Sequence, residues 1–399
     1  MHGRSFLHVA LVALCLCIGS DVAMGCPGDC SGDGAVTVNE LVAAVDSALG
    51  LPGAASCAAA DVDGDGTVTV DELIAAVGAA RGGCPVDHDL TVADLNILHG
   101  LFCPQDADSC RLPDRIDLLF QWIAASGCPD IVTLQEVWPG AVPLIEAHLA
   151  TICPFAYRMV FVPVLPPRGL DQEMILTRYP AITFDLQFLH PSYRHVLSAR
   201  IRHPIGPIDI FSTHLASGSD NAEAPCGSAC PTECVGAGAQ TIRDCQAVQV
   251  ATLAAARHDV DAPALITGDF NDAPGSFVYR QFVERGWIDT YLAAGNPECD
   301  PATGTGCTSG RADEDLSDLE STTSHEIERI DFIFLKAPGI GSTSCTATID
   351  PASDDDGDGT ATRIFADDPN PFAPMCGPAP LPICWPSDHE GAELDLNCL

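Results

Sequence analysis

Positive charge is what this sequence has least of. Of 399 residues only 18 are Lys or Arg, and Lys336 is the one lysine; with 55 Asp or Glu the formal net charge is −37. No basic stripe exists to neutralise a nucleic-acid backbone, which argues against broad electrostatic binding to a duplex. It leaves open an enzyme that grips one phosphate through a metal ion. Long apolar stretches are missing too. Residues 6–18 form an apolar run, but it is short for a membrane span, so no stable transmembrane anchor is expected. No CxxC pairs with His at zinc spacing, which argues against structural zinc. Hydrophobic residues still make up 47% and charged residues 18%, so most of the chain should fold, with length for one large domain and one small one.

Cysteine, by contrast, is plentiful. Arg4 gives a weakly positive start, residues 6–18 are the length of a signal h-region, and Ala23-Met24-Gly25 offers the small residues a signal peptidase needs. A signal peptide over residues 1–25 and a mature start at Cys26 are therefore expected, placing the protein outside the cell or in a periplasm. Lipidation of Cys26 is the rival reading, against which Ala23 makes a poor lipobox. Two of the 20 Cys, Cys15 and Cys17, fall in that leader, and the even remainder suits disulfide pairing in an oxidising compartment. Cys103/Cys110, Cys299/Cys307 and Cys376/Cys384 lie close enough to close short loops.

A repeat follows. "DCSGDGAVTVNE" from Asp29 and "DVDGDGTVTVDE" from Asp61 align 32 residues apart. Each fits a twelve-residue calcium loop: oxygens at positions 1, 3 and 5 (Asp29, Ser31, Asp33; Asp61, Asp63, Asp65), Gly at 6, a backbone carbonyl at 7 (Ala35, Thr67) and a bidentate acid at 12 (Glu40, Glu72). Ca²⁺ needs six to eight such oxygens. Apolar residues near a 3.6 period predict a helix after each loop. With no entering helix, this EF-hand pair over residues 26–84 resembles a dockerin, although dockerins usually carry Asp where Glu40 and Glu72 stand. The resemblance implies a calcium-folded module and a cohesin-like or cell-surface partner. A third run, "DDDGDGTATRIF" from Asp354, ends in Phe365 instead of an acid; a Ca²⁺-pinned loop and a solvated acidic loop fit it equally.

From Asp87 onward short apolar runs alternate with helical segments, the pattern of an α/β protein. Several runs end on lone polar residues: "LTVADLNIL" on Asn96, "DIVTLQEVW" on Glu136, "IDIFSTHLAS" on His214, "ALITGDFND" on Asp269 and Asn271, "ERIDFIFLK" with Asp331, and "WPSDHEGAEL" with Asp388 and His389. A single His beside a strand is more often structural than catalytic. Six such features in this order form a constellation. It resembles the endonuclease/exonuclease/phosphatase superfamily, the DNase I-like fold, over residues 87–399. That resemblance implies a four-layer β-sandwich of two mixed sheets flanked by helices, with the site at one rim. It implies that Asn96, Glu136 and Asp388 meet a divalent metal, usually Mg²⁺, and that His389, Asp269, His214, Asp331 and Asn271 act on the phosphoryl group. Glu173 in "DQEMILTRYP" matches the acid that orients the first histidine.

Those residue types suit phosphodiester hydrolysis. A hard cation on carboxylates withdraws charge from phosphoryl oxygens. Neutral amides bind further oxygens without repulsion, and an imidazole held by a carboxylate serves as acid or base near neutral pH. Which group is the base stays open.

Details such as "LQEVW", Arg243 and Gln246 before "GDFN", and "GWIDTYLAAG" after it are similar to neutral sphingomyelinases and favour a phospholipid. An extracellular nuclease acting on DNA or RNA is the alternative, and a catalytically inactive calcium-dependent scaffold or adhesion protein the third. The Pro-rich residues 369–386 form either an interfacial lip or a disulfide-tied core loop. Three Cys in the insertion after His214 predict a tied flap beside the site.

Overall fold

The computed structural model describes residues 26–31, 36–51, 57–61, 66–82, 89–101, 109–165, 171–191, 194–218, 221–227, 230–311, 316–321, 324–338, 347–349, 362–364 and 383–398. The expected leader, loop residues Asp33, Ala35, Asp63 and Asp65, most of the Asp354 run and most of the Pro-rich stretch lie outside them. The chain divides into two compact units, Met1–Val86 and Asp87–Leu399.

In the first unit two helices follow the two acidic segments: α1 (Val38–Ala48) and α2 (Val70–Gly82). A reciprocal cap starts α1, the Thr37 hydroxyl accepting from the Glu40 N–H and the Glu40 carboxylate accepting from the Thr37 N–H at 2.8 Å. This satisfies N–H groups that a helix start leaves open. Thr69 donates its N–H to Glu72 at 2.7 Å in the same way, and Cys30–Cys57 staples the unit.

The second unit begins β1 (Asp89–Asn96), α3 (Leu112–Ala125), β2 (Ile131–Gln135), α4 (Val142–His148), β3 (Arg158–Val160) and β4 (Met174–Thr177). It continues β5 (Ala181–Phe188), β6 (His195–His203), β7 (Gly206–His214), α5 (Thr232–Ala237), α6 (Ile242–Arg257) and β8 (Ala264–Asp269). Then come α7 (Phe277–Val283), β9 (Ile288–Asp289), α8 (Thr290–Ala293), α9 (Leu316–Leu319), β10 (Asp331–Lys336), β11 (Ala347–Ile349), β12 (Thr362–Ile364) and β13 (Ala392–Cys398). Two mixed sheets result. One runs β11-β13-β1-β2-β4-β3, with β12 also on β13; the other runs β5-β6-β7-β8-β10-β9.

The period of two along each strand sorts side chains into layers. Leu90 and Val92 on β1, Ile131 on β2, Ile210 on β7, Leu265 on β8 and Ile333 on β10 fill the space between the sheets. Intervening residues face helices. Leu95, Val132 and Leu134 pack on Ile116, Leu119 and Ile123 of α3. Ile266, Phe332 and Phe334 pack on Val250 and Ala254 of α6 and Phe282 of α7. The order is helix, sheet, sheet, helix, as the sequence resemblance implied.

One pair in each sheet is parallel, β1 with β2 and β7 with β8. Both crossovers are helical, and the carboxyl ends of all four strands reach one rim, where open α/β sheets place their sites. Gly268 makes the β7–β8 approach possible. Its φ is +135°, and a Cβ there would stand 1.8 Å from the Thr213 carbonyl oxygen, a contact with rigid backbone. Gly268→Ala should therefore destabilise the protein by about 3 kcal/mol or more, measured as a drop in denaturation midpoint; a wild-type midpoint would show that the strands can part.

Candidate active site

Register assembles the centre. His214, the last residue of β7, is opposite Asp269, the last of β8, and Asp269 is opposite Asp331, the first of β10. Because β10 runs antiparallel to β8, its start lies at the same rim as the end of β8. The antiparallel pairing of β13 with β1 likewise brings residues 387–390, just before β13, to the end of β1 where Asn96 stands. Glu136 follows β2 directly and Asn271 follows β8 by one residue. Both take left-handed backbone conformations, φ 60° and 51°, sparsely populated for non-glycine residues and concentrated at functional sites.

Asp269 is the common point. Its Oδ2 accepts from Asn96 Nδ2 at 3.1 Å and from Asn271 Nδ2 at 3.3 Å, and stands 3.2 Å from His214 Nε2 and 3.8 Å from His389 Nε2. Its Oδ1 accepts the Asn271 N–H at 2.8 Å. The residue is 1% exposed.

His389 is held from behind, its Nδ1 lying 2.9 Å from Asp331 Oδ2. Thr308 braces Asp331 and the residue after His389: its hydroxyl accepts the Asp331 N–H at 3.1 Å and its carbonyl accepts the Glu390 N–H at 2.8 Å. Cys299–Cys307 closes the loop leading to Thr308. Arg311 pairs with Glu326 and Glu390 and stacks 3.8 Å over Trp385, so the segment carrying His389 is fixed on both sides. Burial pulls the His389 imidazole down, but the Asp331 and Asp269 carboxylates outweigh it and hold the ring well above its ordinary value.

Glu136 occupies the other side. Its Oε1 accepts from Asn96 Nδ2 at 3.1 Å and its Oε2 from the His99 N–H at 2.8 Å. Glu136, Asp171 and His214 form one cluster with ligand atoms within 4.8 Å of one another; Asp269, Asp331 and His389 form a second. His214 Nε2 also stands 2.9 Å from Asn271 Nδ2, and its Nδ1 lies 3.3 Å from Asp171 Oδ1. Burial and Arg194 lower the His214 pKa, yet Asp171 and Asp269 prevail and hold it at about 9. Burial opposes the Asp171 charge, but Arg194 and His214 keep that carboxyl well below the usual range.

Three expected roles do not match the geometry. Glu173 does not orient His214; it lies 2.8 Å from His195 Nε2, both residues almost wholly buried, and Asp171 is the acid beside His214. Asn96 turns its amide nitrogen toward the carboxylates while its Oδ1 accepts the Leu98 N–H at 3.0 Å. It therefore serves as a donor that gathers Glu136 and Asp269, since an amide nitrogen is no ligand for a hard cation. Asp388 belongs to neither cluster, and its Oδ1 accepts from the Ser387 hydroxyl at 3.1 Å. Asp171, His99 and Thr308 were not singled out from sequence. Asp171 stands two residues from the acid that was chosen.

The flap beside the site is tied, by Cys226–Cys230 and by Cys234 to Cys245 of α6. Of the suggested close pairs Cys299–Cys307 is bonded, while Cys103 and Cys376 lie outside the described residues. Cys128–Cys153 had no sequence signal.

A D. rerio TDP2 humanized by 14 mutations superposes with TM-score 0.51 at 16% identity, over 78% of this chain and 100% of its own. An endonuclease/exonuclease/phosphatase from Bacteroides vulgatus gives 0.50 at 19%, over 78% and 99%. D. rerio TDP2 complexed with single strand DNA product gives 0.50 at 17%, over 78% and 100%. At such identities the likeness is one of fold. No curated protein matches the chain in sequence. Residues 95–389 match the Endonuclease/Exonuclease/phosphatase family, a span that opens beside Asn96 and closes on His389. That match encloses the whole centre, and the chain belongs to the Endonuclease/Exonuclease/phosphatase family and is a metal-dependent hydrolase.

Proposed function

We propose that the protein cleaves a phosphodiester by direct attack of water, with a phospholipid of the sphingomyelin type as substrate. The observation that carries the reaction is the convergence of two histidines and two amides on the single carboxylate of Asp269. Asp269 is placed to orient the attacking water and take its proton. His389, cationic and fixed by Asp331, faces the phosphoryl oxygens or the leaving oxygen with Nε2. His214 and Asn271 offer N–H groups to the remaining oxygens. The metal fits the donor set: Glu136 is a hard oxygen donor, 15% exposed, with Asp171 beside it. Bound there, Mg²⁺ would supply charge neutralisation at the phosphoryl group.

Two observations favour a lipid. Two guanidinium groups on the His214 side are tied to carboxylates, Arg194 to Asp171, which stands beside His214, and Arg243 to Glu223. That leaves them poor clamps for a polyanion. An apolar strip of Val162, Val164, Leu165, Phe184 and Phe188 lines a shallow pocket, with Leu165 83% and Phe184 57% exposed, and the Val164 N–H donates to Gln172, the residue after Asp171, at 2.7 Å. With Mg²⁺ the protein should release phosphocholine from sphingomyelin vesicles and leave plasmid DNA intact. Nicked plasmid with untouched lipid would establish the second reading, a nuclease, which the DNA-bound D. rerio TDP2 structure favours. No hydrolysis of either, nor of a bis-aryl phosphate, would leave a scaffold.

We infer also that the first unit binds Ca²⁺ and can dock a partner. Asp61 Oδ2 accepts the Gly66 N–H at 2.8 Å, which closes the loop, while Asp61 Oδ1 is buried with no hydrogen-bond partner. Glu40 is poised as an anion: hydrogen bonds from Thr37 and Ser31 hold its carboxyl at about 2. Calcium should raise the melting temperature, and Asp61→Ala should lessen that rise; a full rise in the variant would remove this loop from the site. Export is part of the same proposal, resting on the expected leader and the disulfides, and appearance of the mature chain from Cys26 in a secreting host tests it.

A further inference from the structure

Between the apolar inter-sheet core and the catalytic rim lies a polar layer that the proposed reaction leaves unused. The period of two builds it. On β1 Val92 enters the core and Asn96 the site, so Asp94 stands between them. On β2 Ile131 is followed on the same face by Thr133 and Gln135. On β7 Ser212 separates Ile210 from His214, and on β8 Thr267 separates Leu265 from Asp269. Asp94, Thr133, Gln135, Ser212 and Thr267 are each 0% exposed.

Their hydrogen bonds do not close. Asp94 Oδ1 accepts from the Thr133 hydroxyl at 2.6 Å and from Gln135 Nε2 at 2.8 Å, and Gln135 Nε2 reaches across the sheets to Ser212 Oγ at 3.4 Å. Asp94 Oδ2, Gln135 Oε1, Thr267 Oγ1 and, from the rim above, Asp331 Oδ1 are buried with no partner. All four are oxygens, and acceptors outnumber protons among them. Buried polar groups in native proteins are paired with protein or with ordered water, and a water brings two donors to a polar, closed site. Strand β1 packs across the sheets against β8 and β10, and burial together with the Asp331 and Asp269 carboxylates raises the Asp94 carboxyl, so layer and rim are neighbours.

We propose that this layer holds an ordered water, bound to Thr267 Oγ1, that joins Asp94 Oδ2 to Asp331 Oδ1. Asp94 is thereby a positioning residue. It fixes the Asp331 carboxylate so that Oδ2 stays on His389 Nδ1. The inference rests on the reading of His389 and Asp331 as a catalytic pair, and the test separates the two.

Three variants are compared with wild type by kcat and KM in Mg²⁺ and by thermal melting. Asp94→Asn keeps the acceptor for Thr133 and Gln135 and sends an N–H into the layer. Asp94→Leu keeps the volume and removes the link, and Thr267→Val removes one hydroxyl at constant shape. Expected is about a tenfold loss of kcat in D94L and T267V with KM within about twofold, the scale of losing a partner behind a working group, and near-wild-type kcat in D94N. A structural role alone would move the melting temperature and leave kcat of the folded protein unchanged. Folded D94L with wild-type kcat overturns the proposal, as does a loss in D94N as deep as in D94L. If D94L does not fold, T267V decides by the same criterion. A crystal structure should show a water within hydrogen-bond distance of both Asp94 Oδ2 and Asp331 Oδ1; a dry layer overturns the link. Asp331→Asn at full activity would sink the catalytic pair itself, whereas inactive D331N beside fully active T267V and D94L would refute the water link alone.

Discussion

Asp269→Asn should lower kcat about 10³-fold at saturating Mg²⁺ while the fold survives. The exchange is nearly isosteric, so strand register and core are kept. Its effect is chemical. Asp269 Oδ2 now accepts from Asn96 and Asn271 and sits within 4 Å of the His214 and His389 imidazoles. An amide nitrogen at that position turns an N–H toward other N–H groups, and the donors lose the acceptor that aligned them. The carboxylate proposed to orient the attacking water goes too. Measured by initial rates on the hydrolysed diester and by thermal melting, the variant should be folded and nearly inactive. More than a tenth of wild-type activity would remove Asp269 from the centre of the reaction.

His389→Ala should cost about as much, 10³-fold or more, and should also change how stability depends on pH. The folded-state pKa of His389 lies above its ordinary value, because the Asp331 and Asp269 carboxylates outweigh the opposing pull of burial. A group whose pKa rises on folding binds its proton more tightly in the native state. Its contribution is fully present below the unfolded value of about 6.5 and fades as pH rises through the folded one. In EDTA, wild-type stability should therefore decline as pH climbs above about 6.5, and the H389A curve should be flatter over the same range. Denaturant midpoints across that window check the sign. A steeper decline in the variant would show that the ring is not held as a cation.

Much of this arrangement was legible because a strand advertises its rim. An apolar run that stops at a polar residue, as in residues 264–271, places that residue where the sheet ends, and the period of two then assigns Asp269 and Asn271 to one face. Six such endings in order carried both the fold and most of the centre. What stayed hidden depends on geometry that spacing does not encode. Asp171 and Glu173 are two acids two residues apart in a segment leading into β4, and only the path of that segment decides which of them meets His214. Asn96 lies beside Glu136 and Asp269, but which end of its amide faces their carboxylates is fixed by the Leu98 N–H, a backbone partner invisible in sequence. Thr308 lies in a loop without strand or helix pattern, and its importance comes from a hydroxyl that happens to reach the start of β10. Asp94 carries no sequence signal of its own, being one more polar residue in a strand.

The register of β7, β8 and β10 places His214, Asp269 and Asp331 on consecutive strands at the end of one hydrogen-bonded ladder. A centre built this way has no hinge of its own. Its side chains part only when the sheet frays, so the free energy of opening the site should approach that of unfolding the whole second unit. On heating, loss of activity and loss of tertiary structure should coincide in one cooperative step, and amide protons at residues 213, 268 and 332 should exchange with solvent as slowly as those of the deepest core.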